Sequence, residues 1–324
     1  MSTIETGPSE GNEAIVSSPY KTISWPSYIL RRIAGPIARH FLPTEVVELS
    51  ETTGLSRVRK LAKMGYGSLF YSTHPTQGEI PRELDVIGED PVLGDREIGI
   101  PETPKHYKWW HNIGGRLAGI FVFPVSNEDS VAYFANPPDE KDEKQMAKYK
   151  RKSAMYQRIL KKAGKRYVAK HPEAKKSYES KPKLIGQMAL AENYLDNAVC
   201  ILDEGGTDLI YVQGGRRPFL GTITQAMSRV IERANKKGVK RYTLTAIGVV
   251  IKDENGKEIE DYGDPAITGY NKGRKYVFIV GATDTATEFQ EEAERRSLTL
   301  DELVSEKLKA VSPPSYQPRE VIPS

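Results

Sequence analysis

The sequence contains a single cysteine, Cys200, among its 324 residues. One cysteine excludes an internal disulfide and a cysteine metal cluster, and it fits a reducing compartment. No metal site is predicted. Long apolar runs are also missing, because the longest, such as Ile120 to Val125 and Ala246 to Ile251, fall far short of the roughly 20 residues that cross a bilayer. We therefore expect no transmembrane helix.

Several sequence signals are missing as well. The first residues have neither a basic start nor an apolar centre, so no secretory signal is expected. The chain has no G-x-x-x-x-G-K-[ST], H-E-x-x-H or G-x-S-x-G, which leaves nucleotide-binding, zinc-protease and hydrolase-elbow functions without a motif. The single cysteine and the absence of a predicted transmembrane helix or secretory signal favour a cytoplasmic protein, either free or peripheral on the inner face of a membrane.

Charge is plentiful but unevenly placed. Charged residues make up 28% of the chain and hydrophobic residues 38%, which indicates an ordinary core under a well-charged surface. The net charge is only +4, yet residues 141–183 hold sixteen Lys or Arg against four Asp or Glu. This asymmetry predicts a local polyanionic partner.

The basic segment also carries an apolar pattern. Seven residues alternate three and four apart and predict one stripe on a long helix: Met146, Tyr149, Ser153, Tyr156, Leu160, Ala163 and Tyr167. We expect the stripe to dock on the rest of the domain. The basic face would then meet either solvent or an anionic surface, and the pattern alone leaves both open.

Alternating strand and helix patterns predict an α/β fold with a mixed, largely parallel sheet flanked by helices. We expect one such domain over residues 21–311, with a basic helical insertion at about 138–183. Residues 1–20 and the Pro-rich residues 312–324 are predicted to be disordered tails. The prolines at 81, 91, 101 and 104 favour a loop between Glu79 and Pro104.

The apolar residues 67–71 predict a buried strand that ends at a loop carrying His74 and, five positions later, Glu79. A histidine at a strand end can be held rigidly with its ring facing a cleft, which suits a general base. A nearby carboxylate could fix its tautomer and stabilise the imidazolium. The spacing itself is common, and a loop histidine bonded to backbone is the alternative interpretation.

A second strand candidate, Leu209 to Val212, leads into a glycine- and arginine-rich loop. Its candidate binding residues are Gln213, Gly214, Gly215, Arg216 and Arg217. Glycines after a strand let the backbone approach an anion, and adjacent arginines supply bidentate donors for a phosphate. An ordinary turn with solvated arginines is the alternative. Because ligands gather at the carboxyl ends of parallel strands, we expect this loop and the His74 loop to open at the same edge.

Four blocks therefore follow one another: His74 to Glu79, Gly-Ile-Phe-Val at 119–122, Tyr-Val-Gln-Gly-Gly-Arg at 211–216 and an apolar block at 245–250. In this order they resemble the glycerolipid acyltransferase family typified by lysophosphatidate acyltransferase. That family carries H-x-x-x-x-D, G-x-[IV]-F-[IV], [FY]-P-E-G-T-R and an apolar block with proline. The resemblance covers about residues 44 to 252.

The resemblance implies transfer of a fatty acyl group from acyl-CoA or acyl carrier protein to a hydroxyl of a glycerophospholipid-type acceptor. It implies no covalent acyl-enzyme and no tightly bound cofactor. His74 would be the general base with Glu79 as its partner, while Arg216, with Arg217, would bind the acceptor's phosphate. The chain has Glu79 where the family has Asp, and Gln213 where it has Glu. These departures leave open a degenerate acyltransferase-fold protein that binds lipid without turnover.

A lipid substrate makes an anionic membrane the expected partner of the basic helix at about 143–170, and acyl carrier protein is a further candidate partner. The second alternative is a nucleic-acid-binding protein that uses residues 141–183, since basic helices with interleaved tyrosines also suit phosphate backbones. The basic run lies inside the proposed fold, however, and no recognised nucleic-acid motif accompanies it. Nucleic acid is therefore not the partner we expect.

Overall fold

The computed structural model describes residues 22–32, 43–50, 52–74, 79–103, 113, 115–126, 128–213, 220, 223–259 and 274–317. The predicted tail at 1–20 and the last part of the predicted Pro-rich tail, 318–324, lie outside the described residues. Four of the five candidate binding residues after Val212 also lie outside them: Gly214, Gly215, Arg216 and Arg217.

The described elements alternate between strand and helix through most of the chain. In order they are β1 (Thr44–Glu48), α1 (Leu55–Lys63), β2 (Gly67–Ser72), α2 (Glu79–Glu89), β3 (Ile98–Glu102), β4 (Ile120–Pro124), α3 (Glu128–Ala135), α4 (Glu143–Lys170), α5 (Lys175–Ser180), α6 (Pro182–Asp203), β5 (Thr207–Tyr211), α7 (Ala226–Lys236), β6 (Tyr242–Lys252), β7 (Lys275–Thr285), α8 (Ala286–Arg295) and α9 (Leu300–Val311). Short 3₁₀ turns lie at Pro172–Ala174 and Pro314–Tyr316.

The strands form one seven-stranded sheet in the order β1-β7-β6-β2-β5-β3-β4. Neighbouring strands from β6 to β4 are parallel, β7 is antiparallel to β6, and β1 is parallel to β7. The predicted mixed, largely parallel α/β sheet is therefore confirmed. The strands β2, β5, β3 and β4 all end at one side of the sheet, which we call the carboxyl edge.

Helices cover both faces of the sheet. Alternation along β2 sends Phe70 toward α1 and α2, with which it lines one cavity. The next residue, Tyr71, points to the other face, where its ring meets Phe289 of α8 at a centroid distance of 6.5 Å. On that same face Tyr194 of α6 donates a hydrogen bond of 3.0 Å to Asp208 of β5. Both faces are thus covered, which explains why all six residues of β2 are buried.

The loop predicted between Glu79 and Pro104 is wrong, because this segment contains α2 and β3. Two of its prolines occupy positions that tolerate a missing N–H. Pro81 lies in the first turn of α2, where backbone N–H groups have no partner within the helix. Pro101 lies in β3 beyond the last residue paired with β5, which is Gly99. Both elements could therefore form despite their prolines.

The basic insertion predicted at about 138–183 contains α4 and α5 and is helical. The predicted stripe on α4 is confirmed, since all seven of its residues are buried or half-buried while the lysines of the helix other than Lys152 are exposed. Tyr156 and Leu160 pack with Phe134 and Leu190 in a small second core. The stripe thus docks α4 on α6. Neither of these long helices, nor any other helix among the described residues, combines the length and apolar character needed to cross a bilayer.

The chain continues to pack after α9. Residues 312–317, which we had placed in the Pro-rich tail, belong to the fold, and Tyr316 is fully buried. The backbone oxygen of Tyr316 accepts a hydrogen bond of 2.6 Å from the N–H of Leu220. An aromatic residue between prolines supplies apolar area without needing a regular element. The tail therefore begins later than the composition indicated.

Candidate functional site

His74 lies two residues past the end of β2, at the carboxyl edge, and is half-buried. The backbone before it is tied to both neighbouring strands. The N–H of Thr73 donates to the oxygen of Ile247 in β6, and the N–H of Val212 donates to the oxygen of Ser72, each at 3.3 Å. The sheet thus fixes the position from which the His74 side chain leaves, as predicted for a histidine at a strand end.

The imidazole of His74 packs against the ring of Tyr211, the last residue of β5. Their centroids are 4.7 Å apart and the ring planes are inclined by 35°. This contact follows from the strand register, which places Tyr211 beside Ser72. Tyr211 thus forms one wall around the histidine.

A buried carboxylate, Glu83, holds that wall in place. One of its oxygens accepts a hydrogen bond of 2.5 Å from the hydroxyl of Ser72, and the other accepts one of 2.5 Å from the hydroxyl of Tyr211. Glu83 is only 2% exposed. Hydroxyl hydrogen bonds to a buried carboxylate are short and about twice as strong as neutral ones. Glu83 therefore joins α2 to the ends of β2 and β5.

Sequence reasoning missed Glu83 because its segment was predicted to be a loop. The available signal is its spacing from Glu79: four positions apart on a helix, the two residues lie on one face. Glu79 itself is the first residue of α2, and its side chain lies outside what the structure describes. The backbone nevertheless shows that the His74 loop ends at the start of a helix.

A buried cation adjoins Glu83 in the sequence. Arg82 is 1% exposed, and its guanidinium carbon lies 3.8 Å from the centroid of the Tyr276 ring in β7. A guanidinium over an aromatic face is stabilised by the ring quadrupole, especially where water is excluded. Two neighbouring residues of α2 thus hold the helix on the sheet: Arg82 contacts β7, and Glu83 contacts β2 and β5.

The second candidate loop leaves β5 at the same carboxyl edge as the His74 loop. Of its predicted binding residues only Gln213 is described, and it is 3% exposed. Its side-chain oxygen accepts a hydrogen bond of 2.7 Å from the hydroxyl of Tyr316. The side-chain oxygen of Gln213 is therefore already bonded to a residue near the end of the described chain. A substrate-binding role would fall to the residues that follow it.

The other two blocks of the resemblance lie in β4 and β6. Residues 245–250 belong to β6, the immediate neighbour of β2, whereas residues 120–122 belong to β4, at the end of the strand order. Three of the four blocks therefore belong to adjacent strands: 245–250 lies in β6, His74 follows the end of β2, and Tyr211 ends β5. The carboxyl ends of adjacent parallel strands are a usual place for a ligand site in an α/β sheet.

A cavity of about 420 Å³ lies between α2 and the sheet, with Glu83 in its wall. Phe70, Ile247 and Phe278 supply apolar strand side chains, while α2 adds three further carboxylates around it: Asp85, Glu89 and, just after the helix, Asp90. A fatty acyl chain requires an apolar lining. The cavity offers such a lining only in part, because these carboxylates and Arg59, which pairs with Asp90 at 2.7 Å, line it as well.

No protein-family model matches this chain. A search of curated proteins likewise gives no significant match. The functional argument consequently rests on the residues and on the geometry of the carboxyl edge.

Proposed function

We propose that this protein transfers a fatty acyl group from a thioester, acyl-CoA or acyl carrier protein, to a hydroxyl of a glycerophospholipid-type acceptor. The supporting observation is the meeting of two loops at one edge: His74 leaves β2 beside Tyr211, the residue from which the Gln213 loop begins. A general base and an anion-binding loop need this proximity if the base is to reach a hydroxyl on a phosphate-bearing acceptor.

In this mechanism His74 accepts the proton of the acceptor hydroxyl while its oxygen attacks the thioester carbonyl. The C–S bond then breaks, the new ester forms, and the thiolate takes up the proton that the histidine carries. Glu79, at the start of α2, stabilises the transient imidazolium. Tyr211 limits rotation of the imidazole, and Arg216 with Arg217 binds the acceptor's phosphate.

One observation favours the alternative of a lipid-binding protein without turnover. Gln213 stands where the resembling family has a carboxylate, and its side-chain oxygen is already bonded to Tyr316. If the acceptor needs that position, this chain would bind the lipid and leave it unchanged. The two functions differ in turnover, so an activity assay separates them.

The test is acyl transfer from labelled acyl-CoA and acyl carrier protein to glycerol phosphate and a panel of lysophospholipids. We expect an ester product with the wild type and none with His74→Ala. His171→Ala is the matched control, because His171 is an exposed histidine at the end of α4. Ester formation that survives His74→Ala would remove this residue from the mechanism. Lipid binding without product in every pair would favour the non-catalytic alternative.

A further inference from the structure

α6 extends past the carboxyl edge. It runs antiparallel to β5, to which a turn connects it, and Tyr194 in its middle bonds to Asp208 in β5. From Tyr194 back to Leu184 the helix rises about 15 Å, whereas β5 continues for only about 10 Å beyond Asp208. The first turns of α6 therefore stand beyond the end of β5, on the side of His74.

A chain of hydrogen bonds shows which residue of α6 lies beside the end of β4. Gln187 of α6 donates to the hydroxyl of Tyr156 at 3.1 Å, and that hydroxyl lies 2.7 Å from the hydroxyl of Ser126, two residues past β4. The helical residues before Gln187 thus project past the end of β4. The end of α4, the 3₁₀ turn, α5 and the start of α6 form this projection, residues 161–184, which we call the hairpin tip.

Close contacts make the hairpin tip a defined body. A Cβ on Gly186 would lie 2.7 Å from the backbone oxygen of Leu160, so α4 and α6 touch there through their backbones. A Cβ on Gly164 would overlap the ring of Tyr178, which brings α5 onto α4 in the same way. The tip therefore presents its side chains at fixed positions.

The hairpin tip is strongly basic. It carries nine Lys or Arg against two carboxylates, Glu173 and Glu179, and all nine basic side chains are exposed. Within the continuously described residues 128–213 none of the nine forms an ion pair, and Glu173 instead lies 3.4 Å from His171. Unpaired charge of one sign on a protruding surface attracts a polyanion.

Exposed apolar side chains accompany this charge. Leu184 is 49% and Met188 is 44% exposed, and they lie one turn apart on the side of α6 that packs on the sheet further along. Lys181 precedes Leu184 by three residues and shares that side. A phosphate backbone gains nothing from leucine and methionine, whereas the interface of a bilayer accommodates such apolar groups beneath a ring of lysines.

We propose that the hairpin tip docks on an anionic lipid bilayer. Its basic side chains contact the phosphates, and Leu184 enters the acyl boundary. Because the tip projects past the carboxyl edge, docking turns the mouth of the His74 site toward the membrane. Vesicle binding is measured without turnover, so this docking surface can be tested whether or not the protein is an acyltransferase.

The first test compares two charge-reversed variants by flotation with vesicles of equimolar phosphatidylcholine and phosphatidylglycerol. The tip variant combines Lys170→Glu, Lys175→Glu, Lys176→Glu and Lys181→Glu. The matched control reverses four exposed residues in the first half of α4, with Lys144→Glu, Lys148→Glu, Lys150→Glu and Arg151→Glu. The two variants have the same net charge, so any difference between them reports position.

We expect the tip variant to bind at least roughly tenfold more weakly than the control variant, since each basic residue near an anionic surface contributes about fivefold in affinity. Equal loss in both variants would overturn docking through the tip and leave non-specific charge attraction. Binding of the wild type to single-stranded RNA, with none to the vesicles, would also overturn it. The His74→Ala variant is expected to bind vesicles like the wild type.

The second test needs no charge reversal. In a Cys200→Ser background, Leu184→Cys carries an environment-sensitive fluorophore, and Lys148→Cys carries the same label as the control. We expect the emission at position 184 to shift to the blue on addition of anionic vesicles, while the label at 148 stays in water. An unshifted emission at 184 in the vesicle-bound protein would contradict insertion of this residue.

Discussion

The hydroxyl of Tyr211 donates a hydrogen bond of 2.5 Å to the carboxylate of Glu83, a residue 128 positions earlier in the chain. The same tyrosine ring packs on His74 at 4.7 Å. One side chain thus links a buried charge to the histidine of the candidate site. The position of the imidazole consequently depends on α2, on which Glu83 lies.

Tyr211→Phe is expected to destabilise the fold because it removes a donor from a buried carboxylate. Hydrogen bonds to charged groups contribute roughly 1.5–3 kcal/mol, against about 0.5–1.5 kcal/mol for neutral ones. Tyr316→Phe is the matched control, since that hydroxyl is also buried but donates to the neutral Gln213. Urea unfolding of both variants gives the comparison.

The Tyr211 variant should lose more unfolding free energy than the Tyr316 variant, by about 1 kcal/mol. It should also slow acyl transfer, because the histidine loses an ordered neighbour. A loss no larger than that of the control would mean that Glu83 does not depend on the Tyr211 hydroxyl.

His74→Ala and Glu79→Gln should differ in the size of their effect on turnover. Proton transfer by a positioned base contributes about 10² to 10⁴ in rate, so His74→Ala should remove essentially all measurable turnover. Glu79→Gln keeps the base and removes only the charge that stabilises the imidazolium, so its loss of kcat should be smaller. Steady-state kinetics on the best donor and acceptor pair measures both. An equal loss in the two variants would assign the proton transfer to Glu79 as well.

Much of the fold could be predicted from local patterns. The alternating apolar positions on α4 predicted its buried stripe, since a helix repeats every three or four residues. The patterns Thr285-x-x-Glu288 and Thr299-x-x-Glu302 are typical of capping boxes, and both boxes are formed at the starts of α8 and α9. In these places the local sequence and the packed structure favour the same conformation.

The site was harder to predict because it depends on distant partners. His74 follows an apolar strand, and that signal is local. Glu83 becomes meaningful only when α2 lies against β2 and β5, which no spacing in the sequence reveals. Tyr316 was missed for the same reason, since its partner Gln213 lies 103 positions away. These residues and their partners meet only when the strands and helices are arranged in the folded sheet.

Asp208 provides a test of pH dependence on the opposite face of the sheet. Burial raises the pKa of its carboxyl from 3.8 to about 7, and the hydrogen bond from Tyr194 opposes this only in part. Between these two pH values the unfolded chain has released the proton while the folded protein still holds it. Rising pH therefore favours unfolding in this window.

We expect the unfolding free energy of the wild type to contain a component that falls by up to about 1.4 kcal/mol per pH unit between pH 4 and pH 7. Asp208→Asn should lack this component. The unfolding free energy of the variant minus that of the wild type should therefore rise across this window, even if the amide lowers stability by a constant amount. Both proteins share every other titrating group, which makes the difference between their urea midpoints the measurement. A difference that stays constant from pH 4 to pH 7 would show that Asp208 ionises in the fold as it does in water.

Replacement by alanine should change the unfolding free energy in opposite directions at two helix glycines. Alanine is favoured over glycine within a helix by about 1 kcal/mol, so Gly→Ala normally stabilises. At Gly88 in α2 the new Cβ would lie 3.6 Å from the nearest atom, an ordinary contact with Arg31. At Gly186 in α6 it would lie 2.7 Å from the backbone oxygen of Leu160, which cannot rotate away.

Gly88→Ala should therefore raise the unfolding free energy by about 0.5–1 kcal/mol. Gly186→Ala should lower it by about 1–3 kcal/mol, because α4 and α6 must separate to admit the methyl group and overpacking outweighs helix propensity. The separation should also loosen the hairpin tip, so amide hydrogen exchange in α4 is expected to accelerate in the Gly186 variant alone. If Gly186→Ala stabilises the protein as Gly88→Ala does, the backbones of α4 and α6 do not touch at this point. The hairpin tip would then not be rigid, and the membrane-docking proposal would lose that part of its basis.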